Sequence, residues 1–215
     1  MQITIREPVS SLTHLAAMFL TAGASIPLLI KAYSFGIVYM LAMLIFAVSM
    51  ILLYGASAFY HGLDLPQNIV RYLRKLDHAM IFVLIAGSYT PVCILVLEPH
   101  LGLPLLLVVW GFSIIGILFK ILWINCPDWL SSTIYIALGW AAVLVVGPIY
   151  KSLSREAFLW LLYGGIIYTI GGIIYALKLS NFNKKHPYFG SHEIFHLFIM
   201  AGSFCHFIFM YEFIL

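Results

Sequence analysis

Charge is what this sequence has least of. Only 9% of its 215 residues are Asp, Glu, Lys or Arg, where a soluble domain carries about a quarter. That scarcity, with 63% apolar residues and a mean hydropathy of +1.05, excludes a soluble globular protein, a disordered chain and a nucleic-acid-binding module. Cysteine is scarce too. Cys93 and Cys205 fall near mid-membrane and Cys126 in a loop on the inner side, where thiols stay reduced, so no disulfide framework is expected. The chain also lacks a long linker, a low-complexity tract and any convincing internal repeat, which leaves one domain over residues 1–215. The alternation of apolar and polar residues that a membrane β-barrel requires is missing, since Val38 to Leu53 is apolar at nearly every position.

What is present is a series of seven uncharged windows: 8–30, 32–63, 78–97, 99–119, 129–150, 157–177 and 194–211. Each approaches the ~20 residues that cross a bilayer as a helix at ~1.5 Å per residue. The reading is an all-α bundle of seven transmembrane helices, near 12–31, 36–61, 77–97, 102–122, 130–150, 156–178 and 192–213. Ala22-Gly23-Ala24 looks a little like a signal-peptidase site, but Glu7 cancels Arg6 and the apolar run continues to Ile30, which favours an uncleaved first span. Arg6, Arg71, Arg74, Lys75, Lys120, Lys178, Lys184 and Lys185 fall on one side of such a bundle, against Lys31, Lys151 and Arg155 on the other. The excess of positive charge places the N-terminus in the cytoplasm and the C-terminus outside. The longest polar connections, Gly62 to Leu76 and Ser180 to Ser191, are then cytoplasmic, so the working face is expected there. Pro27 and Pro91 should kink helices one and three. Gly164, Gly165, Gly171, Gly172 and Ala176 give helix six a small-residue packing face.

Ionisable side chains at membrane depth are costly and mark functional candidates. His192 and His196 stand i, i+4 at the inner start of helix seven, which puts both imidazoles on one face within reach of one metal ion. Eight histidines over this length would give roughly 0.3 such pairs by chance, so depth has to add the discrimination. His61 ends helix two on the same side, Ser57 lies one turn deeper, and Asp77 is read in the first turn of helix three. Three neutral imidazoles with an open fourth position are the ligand set of a catalytic zinc site, in which zinc would acidify a bound water and polarise a carbonyl. Asp77 would accept a hydrogen bond from that water, and Ser57 would position it or donate to the developing oxyanion. The competing reading makes the three histidines interfacial residues bonded to loops and Asp77 a helix N-cap. His14 is read as interfacial, His78 as an outer contact of the site or an interfacial residue, and His206 as bonded inside the bundle, too deep to share the metal. Tyr89, Thr90 and Pro91 are read as shaping helix three, and Glu193 as solvated.

Ser57-Ala-Phe-Tyr-His61, Leu76-Asp77-His78, Ile85-Ala-Gly-Ser-Tyr-Thr-Pro91 and His192-Glu-Ile-Phe-His196, taken in order, resemble the hemolysin III family of bacterial membrane proteins. That family is similar to the progestin and adipoQ receptors, adiponectin receptors among them, and to the alkaline ceramidases. The resemblance implies seven spans, zinc on His61, His192 and His196, Asp77 hydrogen-bonded to zinc-bound water, and Ser57 nearby. It also implies hydrolysis of the amide of a ceramide-like lipid, by analogy with the receptor and ceramidase branches. The function expected is therefore a zinc-dependent lipid amidase or esterase in the bacterial cell membrane, with a membrane lipid as substrate or ligand and no nucleic-acid partner. A non-enzymatic receptor, membrane-homeostasis regulator or cytolysin with structural zinc is the alternative. A transporter is disfavoured, since no intramembrane charge pair or broken helix pair is visible.

Overall fold

A backbone surrounded by hydrocarbon has no water to bond with, so each uncharged window must satisfy its own N–H and C=O groups by coiling. The computed structural model, which describes residues 5–186 and 189–215, has seven helical stretches long and apolar enough to cross a membrane. The first two are α1 (Pro8–Phe35) and α2 (Ile37–Gly62), joined by Gly36 alone. Gly36 sits at φ +123°, a backbone conformation that side chains disfavour, and this lets the chain reverse in one residue. The third is α3 (Gln67–Pro91), which continues as a π-helical turn over Val92–Val96. The fourth is α4 (Pro99–Leu122). The fifth is α5 (Asp128–Gly139), a 3₁₀ segment Trp140–Val145 and α6 (Val146–Ser152). Next come α7 (Arg155–Leu177), the short α8 (Ser180–Lys185) and α9 (Ser191–Ile208), which ends in a second π-helical turn, Phe209–Ile214. Of the connection Ser180–Ser191, expected on the inner side, Pro187 and Tyr188 lie outside the described residues.

Three differences from the sequence reading matter for the site. Helix three starts at Gln67 rather than near 77, because Arg71, Arg74 and Lys75 extend it beyond the apolar window on an amphipathic turn whose apolar residues include Ile69 and Val70. Its N-cap is Pro66, so Asp77 lies well inside the helix and caps nothing. Helix five is interrupted by the 3₁₀ segment where one continuous helix is expected. Lys120 is not a loop cation: it is 1% exposed, and its ammonium donates to Ser131 Oγ at 2.5 Å and Cys126 Sγ at 3.1 Å.

Proline acts at Pro91, where the α-helix gives way to the π-helical turn, while α1 passes through Pro27 without interruption. Packing runs α1 on α2, α2 on α3, α3 on α5, α5 on α7, α7 on α9 and α9 back on α1, with α4 against the outside of α3. Close approaches fall on glycines. A Cβ at Gly102 would strike the Cys93 carbonyl, and one at Gly171 would lie 2.8 Å from Phe198 Cβ, so the glycine set of helix six does serve packing. The ring of six spans encloses a cavity, and every span except α4 contributes to its wall.

Candidate metal centre

The centre is assembled where the ends of three helices meet. His61 is the penultimate residue of α2, and the chain entering α1 lies against that end: Glu7 N–H donates to His61 O at 2.9 Å and Arg6 N–H to Gly62 O at 3.4 Å. His192 and His196 occupy the first two turns of α9, whose start is fastened by Glu193. Its carboxylate accepts from Gly190 N–H at 2.8 Å and from Ser10 Oγ at 2.7 Å. Glu193 is thus a bridge from α9 to α1 rather than the solvated residue expected.

The three histidines come together. One ring nitrogen from each of His61, His192 and His196 lies within 4.8 Å of the others, and His61 Nε2 stands 3.2 Å from His192 Nε2. His61 and His196 are each 2% exposed. Equal, uncharged donors at this separation around a shared point are what a first-row divalent ion requires, and imidazole suits zinc. Asp77 supports the fit independently. Asp77 is 8% exposed and forms no ion pair among the described residues, so a buried carboxyl lines the same cavity as the cluster without a fixed cation. Asp77 and Ser57 line the cavity without belonging to the three-nitrogen group.

Two residues that sequence reasoning missed complete the surroundings. Glu7 Oε2 lies 2.5 Å from His61 Nδ1, and this hydrogen bond holds the Glu7 carboxyl below the usual carboxylate range against the opposing effect of burial. His14 is no interfacial residue: it is 3% exposed and stacks on His196 with ring centroids 3.8 Å apart and planes within 8°. Tyr54 meets the other side of His14 edge-on at 5.2 Å. The one signal for either residue was an ionisable group beside or inside the first apolar window; nothing in local spacing ties them to positions 61 or 196.

The cavity has a volume of about 360 Å³. Glu7, Tyr60, Arg74 and Asp128 line it at the end that holds the start of α1, Ile81, Leu84, Ile85 and Ile199 along its length, and Ser88, Tyr89, Trp140 and His206 deeper in. From Arg74 to Ser88 along α3 is about 21 Å at 1.5 Å per residue, so the space penetrates well into the bilayer. A smaller space of about 110 Å³ shares Ser88, Tyr89, Trp140 and His206 with it. His206 Nε2 lies 3.3 Å from Leu161 O, inside the bundle as expected. His78 is buried in the cavity wall, and its carbonyl accepts from the Tyr135 hydroxyl at 3.2 Å. His100 sits beside Glu98 and His186 on Phe182, both away from the cavity lining. Tyr89 does more than shape helix three. Its hydroxyl donates to Gly139 O and accepts from Ala142 N–H, each at 2.7 Å, and so clamps the break in helix five.

The family model for haemolysin-III-related proteins matches residues 2–207. The chain is 36% identical over 202 residues to the hemolysin-3 homolog of Bacillus subtilis, covering 93% of this chain and 91% of that protein. It is 34% identical to hemolysin-3 of Bacillus cereus, covering 94% and 89%. A more distant relative, the adiponectin receptor protein of Drosophila melanogaster, is 28% identical over 178 residues, which make 75% of this chain and 40% of the receptor.

Proposed function

The chain belongs to the haemolysin-III-related family, as a multi-pass protein of a bacterial membrane with a three-histidine group able to hold a metal ion, and on that premise we propose a zinc-dependent hydrolase of membrane lipids. The bond cleaved is an amide or an ester, and zinc sits on His61, His192 and His196. The observation that carries this reading is that the histidine cluster opens into a cavity that also presents Asp77 and Ser57 and runs into the bilayer. When bound to three imidazoles with an open position, zinc supplies Lewis acidity, polarising a carbonyl and acidifying water.

The chain's own side chains account for the rest of the chemistry. Asp77, a carboxylate facing the cluster, takes the proton of the attacking water and delivers it to the departing nitrogen or oxygen. Ser57 donates a hydrogen bond to the oxygen that gains charge as the carbonyl becomes tetrahedral. Ile81, Leu84, Ile85 and Ile199 hold the acyl chain and keep bulk water from the reacting carbonyl. Arg74 and Tyr60 line the inner end of the cavity, where the headgroup stays at the membrane surface.

The test is metal analysis of the purified protein followed by mass spectrometry of lipids exposed to wild type and Asp77→Asn. The expected outcome is about one zinc per chain in both, with cleavage lost in the variant. Equal turnover by the two proteins would overturn the role of Asp77. One observation favours a non-enzymatic, structural metal: its ligands come from α2 and α9, which are not among the extensively packed helix pairs, so an ion would staple them together. On that reading chelation lowers thermal stability and no lipid is consumed.

A further inference from the structure

A histidine offers a metal one nitrogen only if its proton sits on the other. Neutral imidazole carries its proton on Nδ1 or on Nε2, and the choice follows the hydrogen bond available at the nitrogen that points away. For His61 that nitrogen is Nδ1, since Nε2 is turned toward His192. The group facing Nδ1 is Glu7, at 2.5 Å.

Glu7 is itself held from several sides. Its Oε1 lies 3.3 Å from Arg6 Nε, and Arg6 is fixed in turn by donating from Nη2 to Tyr60 O at 2.6 Å and by lying over the Tyr60 ring, 4.6 Å from its centroid. The backbone at Glu7 is tied to the carbonyl of His61 itself. A carboxylate accepts hydrogen bonds and donates none. Held there, it admits only the His61 tautomer with the proton on Nδ1 and the lone pair of Nε2 on the cluster.

We propose that Glu7, anchored by Arg6, is a positioning residue of the metal centre that sets the tautomer and orientation of His61. The proposal rests on the metal-binding reading of the three histidines. Glu7 acts through His61 and contacts neither the metal nor the reacting atoms. It also makes Arg6 and Glu7, which precede the first span and belong to no helix, part of the site.

The experiment uses the full-length protein in detergent and reads zinc affinity by competition with a chromophoric chelator, with nitrogen NMR of labelled histidine in the metal-free protein as the second measurement. Glu7→Gln keeps the size but can donate as well as accept, so it tolerates both tautomers. Its zinc affinity is expected to fall about 10–100-fold, the effect usual for a lost outer-shell carboxylate, and its His61 signal to show mixed tautomers. Glu7→Asp, which keeps the charge, should recover most of the affinity and the single tautomer. A Glu7→Gln protein that binds zinc as tightly as wild type overturns the proposal, as does one whose thermal stability falls while affinity and tautomer stay unchanged, the mark of a purely structural tether. Wild-type protein that binds no zinc overturns the metal reading itself and the role of Glu7 with it.

Discussion

Tyr89→Phe isolates the clamp at the break in helix five. The substitution removes one oxygen and leaves the ring, so packing against the cavity wall is kept while two hydrogen bonds disappear, those to Gly139 O and from Ala142 N–H. In water the exposed backbone groups would find solvent partners; beside a cavity inside a bilayer they have few. Hydrogen bonds between membrane helices are worth about 0.6 kcal/mol on average and about 1.7 at most, and net values in proteins generally run ~0.5–1.5. Two bonds lost together therefore cost about 1–3 kcal/mol. For a protein of this size that lowers the thermal midpoint by roughly 2–12 °C. The assay is thermal unfolding of purified protein in one detergent, followed by far-UV circular dichroism. Zinc content serves as the control: Tyr89 lies about 18 Å beyond Asp77 along α3 and should leave metal retention untouched. A midpoint identical to wild type would refute the clamp, and a loss of zinc would show that the deeper cavity and the histidine cluster are not separable.

Two other expectations follow from the packing around the site. His14→Leu should weaken zinc binding and lower stability by about 0.5–1.5 kcal/mol through loss of the ring stacked on His196, while His14→Phe, which can still stack, should restore most of both; a chelator titration and thermal unfolding decide, and failure of Phe to rescue would mean that a ring nitrogen rather than the stacked face is what matters. Cys126 is 3% exposed and packed against Lys120 and Ser131, so a membrane-permeant maleimide should leave it unlabelled in folded protein and label it fully after denaturation, as read by intact mass; rapid labelling of the native state would refute the burial of this loop.

The spans were legible because in a bilayer one property, charge, nearly decides the fold. The windows between charged residues failed where charge and helix part company. Arg71, Arg74 and Lys75 ended a window without ending a helix, since an amphipathic extension at the membrane surface carries charge at no cost, and so Asp77 was placed one turn into helix three when it stands three turns in. The three-histidine group was legible because His192 and His196 share a local period and His61 shares their depth. Glu7 and His14 were not. Each meets its partner across long stretches of sequence, Glu7 through a backbone pairing with the end of α2 and His14 through the packing of α1 on α9, and no local pattern encodes such contacts. The 3₁₀ segment Trp140–Val145 was equally silent, for its geometry is stabilised by Tyr89, a residue on another helix.

The charge that is present fits the proposed choice of ligands. A divalent ion held by three neutral imidazoles keeps both of its positive charges, and leaving them uncompensated below the headgroups would be costly. Glu7 and Asp77 bring two carboxyl groups to the same cavity, one bonded to the His61 ring and one buried in the wall. Arg6 offsets part of Glu7 at the surface side, which leaves Asp77, with no ion pair of its own among the described residues, as the carboxylate most strongly drawn to the proposed ion. Thiolate ligands would have reversed this balance: they neutralise the ion themselves, and a buried Asp77 beside them would then carry surplus negative charge. On the proposed function, imidazole ligands and a buried carboxylate belong to one design, in which the ion would stay electrophilic because its compensating charge would sit on the group that handles the proton.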